Sequence, residues 1–165
     1  MRTVYLLRHA KSSWDEPGLA DRDRPLAPRG RKAAKLVARH LDREGVRPEL
    51  VLCSPARRAR ETLDRVLAAL GSPEVVFDER LYGATDRELL ARIREVPETV
   101  GSVLLVGHNP GLADLLALLA GSGLDRPDEV PTAALATLTF DAASWRDIGP
   151  GGGRLDGYVV PRELA

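Results

Sequence analysis

Residues 3–12 run TVYLLRHAKS, an apolar, β-branched and aromatic stretch that stops on Arg8-His9. Thr3 to Leu7 predict a short buried strand, long enough for one pass through a sheet. A cation and an imidazole at its end mark either a solvated exit from the core or the floor of a site. The dipeptide alone carries little weight, because Arg39-His40 repeats it inside RKAAKLVARHLDRE (31–44). There Ala33, Leu36, Val37, His40 and Leu41 form one helical stripe, so His40 reads as a packing residue. The location at a strand's end is what matters.

Working outward, strand and helix patterns alternate. A polar loop from Arg8 to Ala27 contains DRDRPLAPRG (21–30) and leads to a helix from about Pro28 to Arg43, with Pro at its start and Gly45 past its end. ELVLC (49–53) is a second strand. Ser54-Pro55 has the form of an N-cap with Pro at the first helical position, and Ala59, Leu63, Val66, Leu67 and Leu70 supply the buried face. EVVF (74–77) is a third strand, followed by DERLYGAT (78–85). Thr85 and Glu88 have capping-box spacing before a helix carrying Leu89, Leu90, Ile93 and Val96. SVLLV (102–106) is a fourth strand, which breaks at GHNPG into a Leu-rich helix over 112–120. ALATLTF (134–140) and RLDGYVV (154–160) are two further strands, expected to pair as an antiparallel hairpin across the glycine-rich turn.

This alternation predicts a three-layer α/β/α sandwich with a mostly parallel central sheet and antiparallel pairing at an edge. At 165 residues, one domain spanning 1–165 is expected. Lys plus Arg and Asp plus Glu balance at 24 each, which gives no support to nucleic-acid binding. No apolar run is long enough for a signal-peptide core or a membrane span. With Cys53 the only cysteine, no disulfide framework is possible, and a cytoplasmic location is expected. Nothing sets an oligomeric state, and a monomer is the expectation.

In parallel sheets the binding crevice lies outside the carboxyl ends of the strands. Those ends carry Arg8-His9, Ser54 with Arg57 and Arg58 just beyond it, Asp78-Glu79, and His108-Asn109. Two of the chain's three histidines therefore converge with arginines and a carboxylate. Arginine forks and helix N-termini bind phosphate. A neutral imidazole among guanidinium groups can take a phosphoryl group covalently, a second imidazole can steady the equatorial oxygens, and a carboxylic acid can protonate the leaving group. Two rivals are weaker. A cysteine-phosphatase loop needs Arg six residues after Cys53, where Ala59 stands, so Cys53 reads as a packing residue. A metal held by His9 and His108 would have arginines for neighbours, which makes a poor cation site.

With these residues in order, the chain resembles the histidine phosphatase superfamily, also called phosphoglycerate mutase-like, and within it the SixA-type phosphohistidine phosphatases. LLRHAKSSW resembles the Arg-His-Gly motif with Ala10 in place of Gly. DRDRPLAPRG is similar to the subgroup's downstream signature, SPARRARETL to Ser-Pro-x-x-Arg-Ala-x-x-Thr, and VGHNPG to the second-histidine motif. The resemblance implies a cofactor-independent, metal-free phosphatase with His9 as the nucleophile and Arg8, Arg58 and His108 as the phosphate pocket. It points to Glu79, in DERLYG, as the proton donor, with Asp21 and Asp23 competing. The implied substrate is a phosphohistidine on a protein. The alternatives are a small phosphate ester or a non-catalytic phosphate-binding module. Mutase activity is disfavoured because no long insertion could build a cap. Lys11, Ser12 and Ser13 follow the nucleophile and either touch substrate or only shape the loop.

Overall fold

The computed structural model describes residues 1–165. The strands are β1 (Arg2–Arg8), β2 (Leu50–Cys53), β3 (Glu74–Phe77), β4 (Ser102–Gly107), β5 (Ala120–Gly123), β6 (Leu135–Phe140) and β7 (Gly153–Val159). The helices are α1 (Pro28–Arg43), α2 (Arg57–Val66), α3 (Asp86–Arg94) and α4 (Gly111–Leu119). The strands form one sheet in the order β3-β2-β4-β1-β6-β7-β5. Only β6 runs against its neighbours, and the expected β6–β7 antiparallel pairing is present.

Alternation along each strand sorts the side chains into two cores. Val4, Leu6, Leu50, Leu52, Val103 and Leu105 pack with Leu89, Leu90, Ile93 and the α4 leucines on one face. Leu7, Val51, Cys53, Leu104 and Val106 pack with Ala34, Val37, Leu41, Ala59, Leu63 and Val66 on the other. Helices α1 and α2 thus cover one face and α3 and α4 the opposite one, completing the three layers. The chain leaves β1 toward the α1 side and its neighbour β4 toward the α4 side. Adjacent strands whose connections part in this way open a crevice at their carboxyl ends.

Three local expectations change. Helix α2 begins at Arg57, with Ala56 at the N-cap position and no side-chain cap, two residues later than Ser54-Pro55 suggested. The Ser54 hydroxyl is engaged across the sheet instead. The buried stripe of α1 is Gly30, Ala34, Val37 and Leu41, leaving Ala33, Leu36 and His40 half-buried. Last, the chain turns to strand at Ala120, the residue expected to end the Leu-rich helix, so α4 stops one residue early at Leu119. Ala-Gly-Ser-Gly lacks strand propensity, but β7 offers it a free edge for parallel pairing. At Gly123, with φ +89°, a Cβ would lie 2.3 Å from the Leu155 carbonyl oxygen, so only glycine can pair that closely.

Candidate active site

Strands β1 and β4 pair with Arg8 opposite Gly107, and the His9 N–H donates to the Gly107 carbonyl at 3.1 Å. This register sets His9 and His108 side by side, with ring centroids 5.1 Å apart. On the far side of β4, the Ser54 N–H donates to Val106 O, and the Asp78 N–H donates to Cys53 O beyond it. The four parallel strand ends therefore form one shelf.

His9 is only 7% exposed, and its Nδ1 lies 2.7 Å from the Ala10 carbonyl oxygen. A carbonyl only accepts, so Nδ1 carries the proton and Nε2 keeps its lone pair. Burial, followed by the charges of His108, Arg58 and Arg8, lowers the His9 pKa to about 3 against the pull of the Ala10 bond. Burial and Arg58 lower His108 to about 4, with Asp21 opposing. Both rings are neutral at pH 7.

Ser54 Oγ accepts from the Ala56 N–H at 3.3 Å and lies 2.7 Å from His108 Nε2. The hydroxyl can give its own hydrogen to Nε2 while it accepts from Ala56, and in that tautomer the His108 proton sits on Nδ1. That Nδ1 is buried without a partner, and so are Nε of Arg8 and Nε of Arg58. Arg8 and Arg58 thus each leave an N–H donor unsatisfied near the nucleophilic ring, and His108 adds a third in the Nδ1–H tautomer. Buried donors of this kind are costly, and a tetrahedral oxyanion has the oxygens to satisfy them.

Backbone and side chains hold these groups in place. Arg8 donates through NH1 to Val130 O at 3.0 Å, and Asn109 donates to the same carbonyl at 2.8 Å. The buried Thr62 hydroxyl accepts from the Ala10 N–H at 2.9 Å and donates to Arg58 O at 2.7 Å. It therefore couples the nucleophile's loop to the helix that carries Arg58. Helix α1 abuts the same loop: a Cβ on Gly30 would lie 2.0 Å from Lys11 O. Ser12 accepts from Arg24 at 2.8 Å and Ser13 accepts from the Asp15 N–H, so both hydroxyls serve the loop. Lys11 is exposed.

The carboxylates separate by position. Asp21 receives Arg58 twice, Nη1 on its carbonyl at 2.7 Å and Nη2 on Oδ2 at 3.0 Å, and it also accepts from the Tyr82 hydroxyl. Tyr82 stands edge-on to the His108 ring at 5.6 Å. The Tyr82 bond, with Arg58, holds the Asp21 carboxyl well below the usual carboxylate range. Glu79 lies one ion pair further out, 69% exposed and bound to Arg22 at 2.8 Å, and Arg22 in turn covers the Tyr82 ring. Asp78 is tied to Arg80 and Arg92, and Asp23 is exposed on the Asp21 turn. Arg57 pairs with Glu61, which holds the Leu26 N–H. Cys53 is fully buried, and burial pushes its thiol up to about 12, consistent with a packing role.

Ser54 and Tyr82 were not singled out from sequence. The serine resembled a helix cap, and nothing local ties it to a histidine 54 residues away. Tyr82 lay within the DERLYG stretch, but only the fold brings it to Asp21 and His108.

The model of the histidine phosphatase superfamily (branch 1) matches residues 4–85. An uncharacterised protein of Mycobacterium tuberculosis is 39% identical over 163 residues, covering 94% of this chain and 100% of its own. Phosphohistidine phosphatase SixA of Escherichia coli is 32% identical over 142 residues, covering 84% of this chain and 85% of that protein. Among solved structures, the protein histidine phosphatase SixA complexed with tungstate gives a TM-score of 0.82 at 28% identity, over 99% of each chain. Matching in ordered sequence motifs and in the phosphoglycerate mutase-like fold, the chain belongs to the histidine phosphatase superfamily and is of the SixA type.

Proposed function

We propose that this protein is a metal-independent phosphatase that removes phosphoryl groups from histidines of other proteins through a phosphoryl group carried on His9. The observation that carries the reading is the neutral His9 ring, its Nδ1 proton committed to Ala10 O, beside the three unpartnered buried nitrogens of Arg8, Arg58 and His108. The SixA relative adds the phosphohistidine substrate by analogy. The rim supports an exposed carrier, because the Asp21 side chain that holds the buried Arg58 is 50% accessible.

In the first step the His9 Nε2 lone pair forms a bond to phosphorus while the P–N bond to the substrate imidazole breaks. The leaving nitrogen takes a proton from a carboxylic acid. Arg8, Arg58 and the His108 Nδ1–H bind the equatorial oxygens, where charge is held in the transition state. In the second step water attacks phosphorus, the carboxylate takes the water's proton, and the bond to His9 breaks. Neither step needs a metal, and the guanidinium groups around both imidazoles repel one.

Of the carboxylates, we assign the proton transfer to Asp21, with Glu79 the competing donor. Asp21 is ionised while it holds Arg58. A phosphoryl dianion that takes over Arg58 strips Asp21 of its cation and sets like charge beside it, which drives the carboxyl toward the protonated form.

Incubation with a 32P-labelled phosphohistidine protein, followed by rapid quench and peptide mapping, should place an acid-labile phosphate on His9. His9→Ala should abolish turnover, and kcat/KM should be higher for the phosphohistidine protein than for small phosphate esters. Label on another residue, or turnover in His9→Ala, refutes the mechanism. Preference for a small ester refutes the substrate class.

A further inference from the structure

Although the whole chain has no net charge, helix α1 carries six cations against one carboxylate, Asp42, which is itself paired with Arg47. At about 100° per residue, the buried Gly30, Ala34, Val37 and Leu41 occupy one narrow sector. Arg29, Arg31, Lys32, Lys35 and Arg39 fan over the opposite side, and all five are exposed. None of the five is in an ion pair, whereas arginines elsewhere, such as Arg2, Arg80 and Arg92, meet carboxylates. A surface depression of about 500 Å³ between α1 and α2 is lined only by cations: Arg31, Lys32, Lys35 and Arg65.

This band starts at the active site. The Ala27 N–H, just before α1, donates to Lys11 O at 2.8 Å, two residues from His9. Exposed Lys11 and Arg29 share a second depression of about 520 Å³ with Arg162 and Tyr158, and with the carboxylates Glu129 and Glu163 on its rim. From Arg29 to Arg39 the helix adds roughly 15 Å of unneutralised positive charge at 1.5 Å per residue. Unpaired like charges on one helix face disfavour the helix slightly, and no carboxylate of the molecule pairs with these five cations.

We propose that the exposed face of α1, continuous with Lys11, is the docking surface for an acidic face of the phosphorylated protein substrate. The proposal rests on the phosphohistidine-protein reading above. Continuity with the catalytic mouth selects the phosphoryl carrier as the occupant: a protein presenting its phosphohistidine to His9 lays its neighbouring surface along α1. Nucleic acid fits less well. The α1 band has no aromatic side chain for bases to stack on, and the remainder of the molecule is negatively charged and repels a polyanion. Docking of this type acts mainly on encounter, so it appears in kcat/KM at low salt.

The test uses two synthetic phosphohistidine peptides that differ only in flanking glutamates or flanking lysines, with p-nitrophenyl phosphate as the small substrate. The wild type should favour the glutamate peptide by at least roughly tenfold in kcat/KM at low salt, and the preference should shrink as salt rises. Lys32→Glu with Lys35→Glu should abolish or invert the preference while leaving p-nitrophenyl phosphate hydrolysis unchanged. The milder Lys32→Gln with Lys35→Gln should give an intermediate result if the reversal impairs folding. Equal turnover of both peptides, or a preference indifferent to these substitutions, overturns the docking surface while leaving the phosphohistidine reading standing. Hydrolysis of p-nitrophenyl phosphate with neither peptide turned over overturns the substrate reading and the docking surface with it. An oligonucleotide that blocks the glutamate peptide more strongly than polyglutamate does assigns the face to nucleic acid and also overturns the proposal.

Discussion

Acidification from pH 7 to pH 5 should destabilise this protein because the fold refuses protons that the unfolded chain accepts. His9 and His108 titrate near 6.5 when unfolded but at about 3 and about 4 in the folded site. Their folded pKa values are depressed, so below pH 6.5 the unfolded state binds more protons and stability falls with pH. Integrated from pH 7 to 5, each histidine costs about 2 kcal/mol, and the pair about 3–4 kcal/mol. For a chain of this length that is on the order of 10 °C in Tm. Asp21 and Asp78 stay out of this window, because their depressed carboxyls lose stabilisation only below the ordinary carboxylate pKa. Urea unfolding at pH 7, 6 and 5 measures the slope directly. His9→Gln should flatten it by about half, whatever it does to absolute stability. A wild-type stability flat between pH 7 and 5, or folded-state NMR titration of either imidazole near 6.5, would refute the buried neutral pair and with it the ready nucleophile.

Arg58→Ala should lower kcat/KM by on the order of 10² to 10³, as loss of a transition-state donor does. Arg57→Ala and Arg60→Ala should stay within a few-fold, since Arg57 serves Glu61 and Arg60 is exposed; equal losses from all three would reduce the effect to general electrostatics. Thr62→Val strands the buried Ala10 N–H and should cost about 1–3 kcal/mol in urea unfolding along with a marked loss of activity. Thr62→Ser keeps the hydroxyl and should retain most activity, so matching activities for the two variants would deny the hydroxyl its coupling role. Asp21→Asn should slow an alkyl phosphate far more than p-nitrophenyl phosphate, whose leaving group needs no proton, whereas Glu79→Gln should have little effect on either. The reverse ranking in steady-state assays would return the donor role to Glu79.

Much of this protein could be read along the chain. Strand ends at Arg8-His9 and His108, the helix opening at Pro28, and the Thr85–Glu88 capping box depend on near neighbours, and the structure shows them close to where the pattern places them. The errors have a common physical origin. Ser54-Pro55 carries a strong local helix-start signal, but the Ser54 hydroxyl is recruited by His108, and α2 begins without it. The strand at Ala120–Gly123 has no local signal, since its hydrogen bonds come entirely from the edge of β7. For the proton donor, the resemblance put Glu79 ahead of Asp21 and Asp23, and sequence spacing could not show how differently Asp21 and Glu79 are held. Their separation, one on Arg58 and the other out on Arg22, is set by how the first loop folds back over α2.

The alternation of strands and helices, the apolar faces that make two cores, and the chemistry standing at each strand's end are all legible along the chain. These follow from periodicity and from residue type, which act over a few positions. The folded sheet alone shows that β4 inserts between β1 and β2, which brings His108 beside His9 and within reach of Ser54. The fold also joins the nucleophile's loop to Arg58 through Thr62, and sets the start of α1, with its exposed cations, against that same loop. Backbone ladders are chemically alike for every pair of strands, so strand order is chosen by the packing of whole faces and by register. Neither can be read from a short stretch of chain.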